Sequence, residues 1–289
     1  MYHKTTGYRV FSIFNYAFMI LAGLACFLPL LHLLAQSLSS KAAISGNMVS
    51  FWPVGFNVDA YVKTFNNSNF NGAMLTSIIR TVLGTTISMF ILTCAGYALS
   101  KEFRGRNALM WFFIFTMLFS GGLIPSYILV TSLGLKDTIW ALVLPGAFGA
   151  YNLILLVNFF KTIPKALEEA AFIDGASFFV ILSKIYLPLS LPGIATVSLF
   201  IMVGHWNSWF DGILYMSDAS RYPLASFLQT VVVQSNMQNM AMSQSEVAAM
   251  SEQSIKAAQI FVSTLPIILV YPFLQRYFVK GIVLGAVKE

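Results

Sequence analysis

The chain has 289 residues, of which 57% are hydrophobic and only 10% charged, with a mean hydropathy of +0.75 and a formal net charge of +6. A soluble domain carries about 45–50% apolar and about 25% charged residues, so this composition excludes an ordinary soluble protein and identifies a membrane protein. A membrane-spanning helix needs about 20 mostly apolar residues, and six such runs stand at roughly 11–34, 74–98, 108–131, 138–160, 190–215 and 258–276. The expected fold is all-α: a polytopic integral membrane protein with six transmembrane helices, residues 1–289 forming a single transmembrane domain.

Lys4 and Arg9 precede the first run. That run is longer than the roughly 7–15 apolar residues of a secretory signal, so it reads as a retained helix. Cys26 and Cys94 fall inside the first two runs; they are expected as buried thiols used as small hydrophobes, with no disulfide and no metal site. The segment 37–72 between these runs holds Pro53, Gly55 and "NVDAYVKTF". Asn66-Asn67-Ser68 has the form of a glycosylation acceptor, which we read as accidental. Arg80, near the start of the second run, is expected to snorkel towards the outer surface.

Lys and Arg concentrate on the cytoplasmic side of membrane proteins. With the N-terminus inside, the inner segments hold Lys4, Arg9, Lys101, Arg104, Arg106, Lys161, Lys165, Lys184, Arg276, Lys280 and Lys288. The outer segments hold only Lys41, Lys63, Lys136, Arg221 and Lys256. Both termini are therefore expected in the cytoplasm. The positive charge reflects topology, and nothing in it calls for a nucleic-acid partner.

Segment 161–189 then lies inside, between the fourth and fifth runs, and places Glu168, Glu169, Asp174 and Lys184 close together. Pro164 suits a first helical turn, "PKALEEAAFID" is rich in helix formers, and Gly175 suits a left-handed stop. A second short helix, about 176–184, is expected to run until Pro188 and Pro192 interrupt it. The result is a helix–turn–helix knob in which Ala170, Ala171 and Ala176 permit close approach, while Glu168, Glu169 and Asp174 offer acceptors to a basic partner.

The spacing Glu169-Ala170-Ala171, three residues, Gly175, nine residues, Ile185, one residue, Leu187-Pro188 resembles the EAA loop of the membrane subunits of bacterial binding-protein-dependent ABC importers. "GGLIPSYILVTSLGLKDTIWALVLPG", "WNSWFDG" and the terminal "QRYFVKGIVLGAVKE" resemble the carbohydrate branch, the maltose-type permeases, and within it the LplC/YtcP-like group linked to oligosaccharides released from polysaccharides. The resemblance covers nearly the whole chain. It implies a non-catalytic transport subunit of a bacterial cell membrane, with no cofactor of its own. It also implies its partners: a homologous permease, two copies of an ATPase that uses ATP and Mg, and an external solute-binding protein. The loop, through Glu168, Glu169, Ala170, Ala171, Asp174 and Gly175, would couple that ATPase to the helices. The chain contains no G-x-x-x-x-G-K-[ST] phosphate loop, so it does not cradle ATP by that motif.

Trp206, Asn207, Trp209 and Asp211, next to His205 in the fifth run, form a polar and aromatic cluster at membrane depth. Aromatic faces beside amide and carboxylate groups suit a sugar, which makes the four residues candidates for the substrate pathway. The competing reading is an outer-interface belt that serves packing, and the resemblance leaves open which of the two permeases holds the substrate contacts. Met237, Met240, Met242 and Met250 in segment 216–257 read as flexible contact surface rather than as a copper site. With segment 37–72 they form the expected face for the binding protein. The alternatives to a carbohydrate importer are an amino-acid, polyamine or peptide permease, an ion-coupled carrier, and a membrane enzyme. Neither paired carboxylates inside the runs nor internal repeats favour the carrier, and no metal or nucleophile constellation favours the enzyme.

Overall fold

A computed structural model of the chain describes residues 6–240 and 246–286, with side chains over 6–232 and 253–273. Among the described residues the fold is built from helices: α1 Thr6–Ser37, α2 Lys41–Ser45, α3 Asp59–Phe65, α4 Ser68–Ser100, α5 Arg106–Leu118, α6 Leu123–Ser132, α7 Ile139–Val143, α8 Ala150–Lys161, α9 Lys165–Ile173, α10 Phe178–Ile181, α11 Leu187–Leu189, α12 Leu191–Asn207, α13 Phe210–Tyr215, α14 Leu224–Met240 and α15 Glu246–Ala286. The chain divides into two compact units, residues 1–70 with 230–265, and residues 71–229 with 266–289. The side chains of Met237, Met240, Met242 and Met250, and those of the terminal "QRYFVKGIVLGAVKE", lie outside the described residues.

Among the described residues three helices are continuous, apolar and long enough to cross a bilayer: α1, α4 and the Gln253–Phe273 stretch of α15. The other expected runs are broken. α5 and α6 meet at 109°, because Gly122 takes φ +90, a backbone region that costs a residue with a Cβ. The fourth run keeps only the one-turn α7 and the 12-residue α8, interrupted around Pro145, Gly146 and Gly149. The fifth run is preceded by an 82° bend between the helical stretch 178–189 and α12. Pro192 has no N–H to donate across that bend, which makes the break cheap.

In the first unit the chain after α1 is held by its own polar groups. Ser40 caps α2, its Oγ accepting from Ala43 N–H, and the Asn57 N–H donates to the Leu38 carbonyl at 2.9 Å. Asn67 has a role that its acceptor pattern concealed: its Oδ1 accepts from the N–H groups of Asn69 and Phe70 at 2.9 and 3.2 Å and so caps the start of α4. In the second unit a core of Leu92, Tyr97, Leu153, Leu156, Phe160 and Ile181, joined by Tyr186 and Val197, gathers α4, α8, α10 and α12. Gly193 permits this packing, because a Cβ there would meet the Phe159 ring at 2.3 Å.

Cys26 and Cys94 depart from expectation. Both are exposed on the surface of their helices rather than buried.

Candidate functional site

Two constellations in the second unit carry chemistry. The first is the knob. α9 begins at Lys165, with Pro164 just before it at φ −59 and ψ 128 rather than inside the first turn. α9 ends at Ile173, and Gly175 adopts φ +76 as expected. The Ala176 N–H returns to the Ala171 carbonyl at 2.9 Å and closes the turn. Ser177 then caps α10, its Oγ accepting from the Val180 N–H.

The second helix differs from the expected 176–184. A π-helical turn, Leu182–Tyr186, follows α10, and helical backbone continues through α11 past Pro188. The Leu187 N–H donates to the Leu182 carbonyl. This wide turn leaves room for the ring of Pro188 one residue later, so the proline does not interrupt the helix. Tyr186 is delivered into the core, 3% exposed.

The acidic residues of the knob separate by direction. Glu168 turns inward, where its Oε2 takes a proton donor from Lys101 Nζ and another from Tyr186 Oη at 2.8 Å. Glu169 and Asp174 remain exposed. Adjacent helical residues are about 100° apart around the axis, so neighbouring glutamates cannot share a face. Sequence reasoning missed the apolar surface beside them. Ile173 is 86% and Phe179 76% exposed, with Leu167, Phe172 and Phe178 also open. Phe172 and Phe178 meet edge to face across the Gly175 turn, 5.1 Å between centroids. The signal was available in "FIDGASFF": bulky apolar residues on both sides of a polar turn.

Burial pushes the Lys101 ammonium below its ordinary range, and the hydrogen bond and charge of Glu168 push back. Tyr186 moves upward, first through burial and then because the adjacent carboxylate disfavours a phenolate.

The second constellation surrounds the break between α12 and α13. Arg80 contradicts the expectation of a snorkelling side chain: it is 2% exposed and ion-paired with Asp211. Its Nη1 also donates to the Ser208 carbonyl at 3.0 Å. The Asp211 carboxylate further accepts from Ser208 Oγ and from the Gly212 N–H, both at 2.9 Å. Ser226 Oγ donates to the Trp209 carbonyl at 2.6 Å. The Trp209 carbonyl also accepts from the Ile213 N–H at 3.4 Å, so the backbone on the α13 side of the break is held by side-chain and main-chain donors together. Both Nη groups of Arg80 are therefore engaged inside the protein rather than directed at water. His205 packs over Gly84, where a Cβ would come within 2.4 Å of the imidazole.

The four candidate pathway residues differ in setting. Trp206 is buried and lines an apolar cavity of about 320 Å³ with Thr81, Val82, Met202, Val203 and Pro266. Asn207 is exposed, and Trp209, 41% exposed, packs edge to face with Phe210 at 5.6 Å. Asp211 is engaged by Arg80.

A family model described as the binding-protein-dependent transport system inner membrane component matches residues 93–284. The chain is 44% identical over 282 residues, 97% of this chain and 99% of the other, to the polygalacturonan/rhamnogalacturonan transport system permease protein YtcP of Bacillus subtilis (strain 168). It is 42% identical over 287 residues, 99% of this chain and 97% of the other, to protein LplC of the same organism. A chain in the crystal structure of a bacterial ABC transporter involved in the import of the acidic polysaccharide alginate is 30% identical. It superposes with a TM-score of 0.85, covering 96% of this chain and 100% of that one.

Proposed function

The chain belongs to the family of inner membrane components of binding-protein-dependent transport systems, and on that premise we propose that it is one of two permease subunits of an ABC importer for a carbohydrate, an oligosaccharide released from a polysaccharide. It crosses the cell membrane six times with both termini in the cytoplasm. It forms the translocation pathway with a homologous permease and holds no cofactor. Two copies of an ATPase supply the energy from ATP and Mg, and an external solute-binding protein delivers the sugar. Residues 161–189 are the coupling loop. Glu169 and Asp174 meet basic groups of the ATPase, while Ala170, Ala171 and Gly175 allow the close approach. Trp206, Asn207, Trp209 and Asp211 stand along the pathway side of the broken fifth span.

The observation that carries this reading is the match, over nearly the full length of both chains, to a permease named for galacturonan transport. Its physical support is the knob, which exposes carboxylates beside Ile173 and Phe179 on a turn that only a left-handed residue makes. Water does not favour such an apolar surface, and a protein cleft does. The absence of any buried residue in the apolar window of α1 is in keeping with a helix covered by lipid or by the sister permease.

Uptake into proteoliposomes tests the assignment. The two permeases, the ATPase and the binding protein are reconstituted together and offered oligogalacturonides, alginate oligosaccharides and maltooligosaccharides. ATP-dependent accumulation of one class is expected. Accumulation of amino acids, polyamines or peptides instead, or uptake driven by an ion gradient without ATP, overturns it.

Topology is tested separately, in a chain whose Cys26 and Cys94 are replaced by serine. Thiols introduced at Ser220 and Arg104, both exposed, are expected to react with an impermeant reagent from opposite sides of the membrane. Reaction of both from outside ends the six-span arrangement.

A further inference from the structure

Lys101 follows the last residue of α4 and belongs to no motif that the sequence singled out. Its Nζ pairs with Glu168 on α9 and donates to Tyr186 Oη at 2.6 Å. The same ammonium lies over two aromatic rings, 4.3 Å from the centroid of Tyr97 and 3.9 Å from that of Tyr186. Those rings meet edge to face at 4.9 Å, and Tyr186 donates to the carboxylate that Lys101 pairs with. One partly buried cation thus binds three separate pieces of chain: the inner end of α4, the first half of α9, and the π-helical turn that leads into α11 and α12. A second, exposed pair, Lys165 Nζ with Glu102 at 2.8 Å, joins the start of α9 to the segment that follows α4. The end of α4 is itself held, since Arg106 Nε donates to the Leu99 carbonyl at 2.8 Å.

We infer that Lys101 is a positioning residue for energy coupling: its contacts with Glu168, Tyr186 and Tyr97 tie the coupling helix to α4 and to the lead-in of α12, so that displacement of the knob moves both. The inference rests on the coupling role proposed above for residues 161–189. The chemistry supports a tie rather than a chance surface pair. Exposed ion pairs contribute little, whereas this one is shielded and has a hydroxyl on both charges, with two aromatic faces around the ammonium. A π-helical turn in an α-helical stretch occurs frequently at functional sites, and this one delivers the phenol. From there α12 leads directly to Trp206 and, through the break at Ser208, to the Arg80–Asp211 pair.

The test reads the far end of that route without any sugar. In the complete complex of two permeases and ATPase, with Cys26 and Cys94 replaced by serine, Asn207→Cys at the exposed end of α12 is labelled by a thiol reagent with and without Mg-ATP and vanadate. The parent is expected to show a nucleotide-dependent change in labelling rate of about fivefold or more, the usual scale for coupled sites. With Lys101→Met that ratio should collapse towards one, while the ATPase still co-purifies, hydrolyses ATP and the complex unfolds at the parental temperature. Lys101→Arg, which keeps the charge, and the exchanged pair Lys101→Glu with Glu168→Lys should restore it. A merely structural lysine would lower the yield or unfolding temperature and leave the ratio per assembled complex unchanged. Should Lys101→Met not assemble, Lys101→Gln, which keeps a donor for Glu168 without the charge, is read in the same way. A parental ratio in the assembled variant overturns the inference and leaves the coupling loop standing; a parent with no nucleotide response overturns both.

Discussion

Asp211→Ala is expected to destabilise the permease by about 3–5 kcal/mol, the usual cost of removing one partner from a buried ion pair and stranding the other charge. Arg80 is 2% exposed, and its Nη groups are directed at Asp211 and the Ser208 carbonyl. Without the carboxylate the buried guanidinium retains the Ser208 carbonyl. Arg80→Leu should be as damaging, since it strands Asp211 and also removes the donor that satisfies the Ser208 carbonyl. The double variant Arg80→Met with Asp211→Leu should recover most of the loss, because replacing both members of a buried pair by apolar side chains is often neutral. Thermal unfolding of the purified permease pair and the amount of assembled complex in the membrane measure both effects. The same experiment separates two roles for Asp211. If Asp211→Ala assembles and unfolds like the parent but loses uptake, the carboxylate faces substrate; if it fails to assemble, the pair serves to hold the break in the fifth span.

Glu169→Lys is expected to weaken retention of the ATPase about 10–100-fold, because a charge-assisted contact contributes about 1.5–3 kcal/mol and each 1.4 kcal/mol is tenfold in binding. Membrane insertion should be unaffected, since Glu169 is exposed on α9 outside every apolar run. Gly175→Val probes shape in place of charge. No atom lies within 4 Å of a Cβ built at Gly175, so the effect is purely one of backbone: φ +76 costs about 1–2 kcal/mol for a residue with a Cβ and more for a branched one. Gly175→Asn should be tolerated, because asparagine visits that region readily. Co-purification of ATPase with each variant, read beside ATP-driven uptake, checks the set. If Glu169→Lys and Gly175→Val both keep the ATPase and the parental uptake rate, the knob is a solvated connection and the coupling assignment falls.

What could be read along the chain was local. Hydropathy marked every apolar run, because a residue's preference for hydrocarbon is its own property. The glycine stop at Gly175 was legible because only a residue without a Cβ takes that φ cheaply. The spacing from Glu169 to Pro188 could be read because it is a pattern of neighbouring positions, although those positions are spread over α9, the Gly175 turn, the π turn and α11. Even locally the reading erred where a neighbour changed the rule: Pro188 continues a helix because a π turn precedes it.

What tertiary structure decided was direction and partnership. In a water-soluble helix polarity marks the outer face, but a helix in lipid is apolar all round, so the inward side of α4 could not be told from composition. Arg80 was therefore placed at the outer surface when its partner lay 131 residues away. The two glutamates of "LEEAA" look equivalent as text. Packing of α9 against the end of α4 engages Glu168 with Lys101 and Tyr186 and leaves Glu169 exposed, and that asymmetry exists only once residues 67 and 85 positions apart meet.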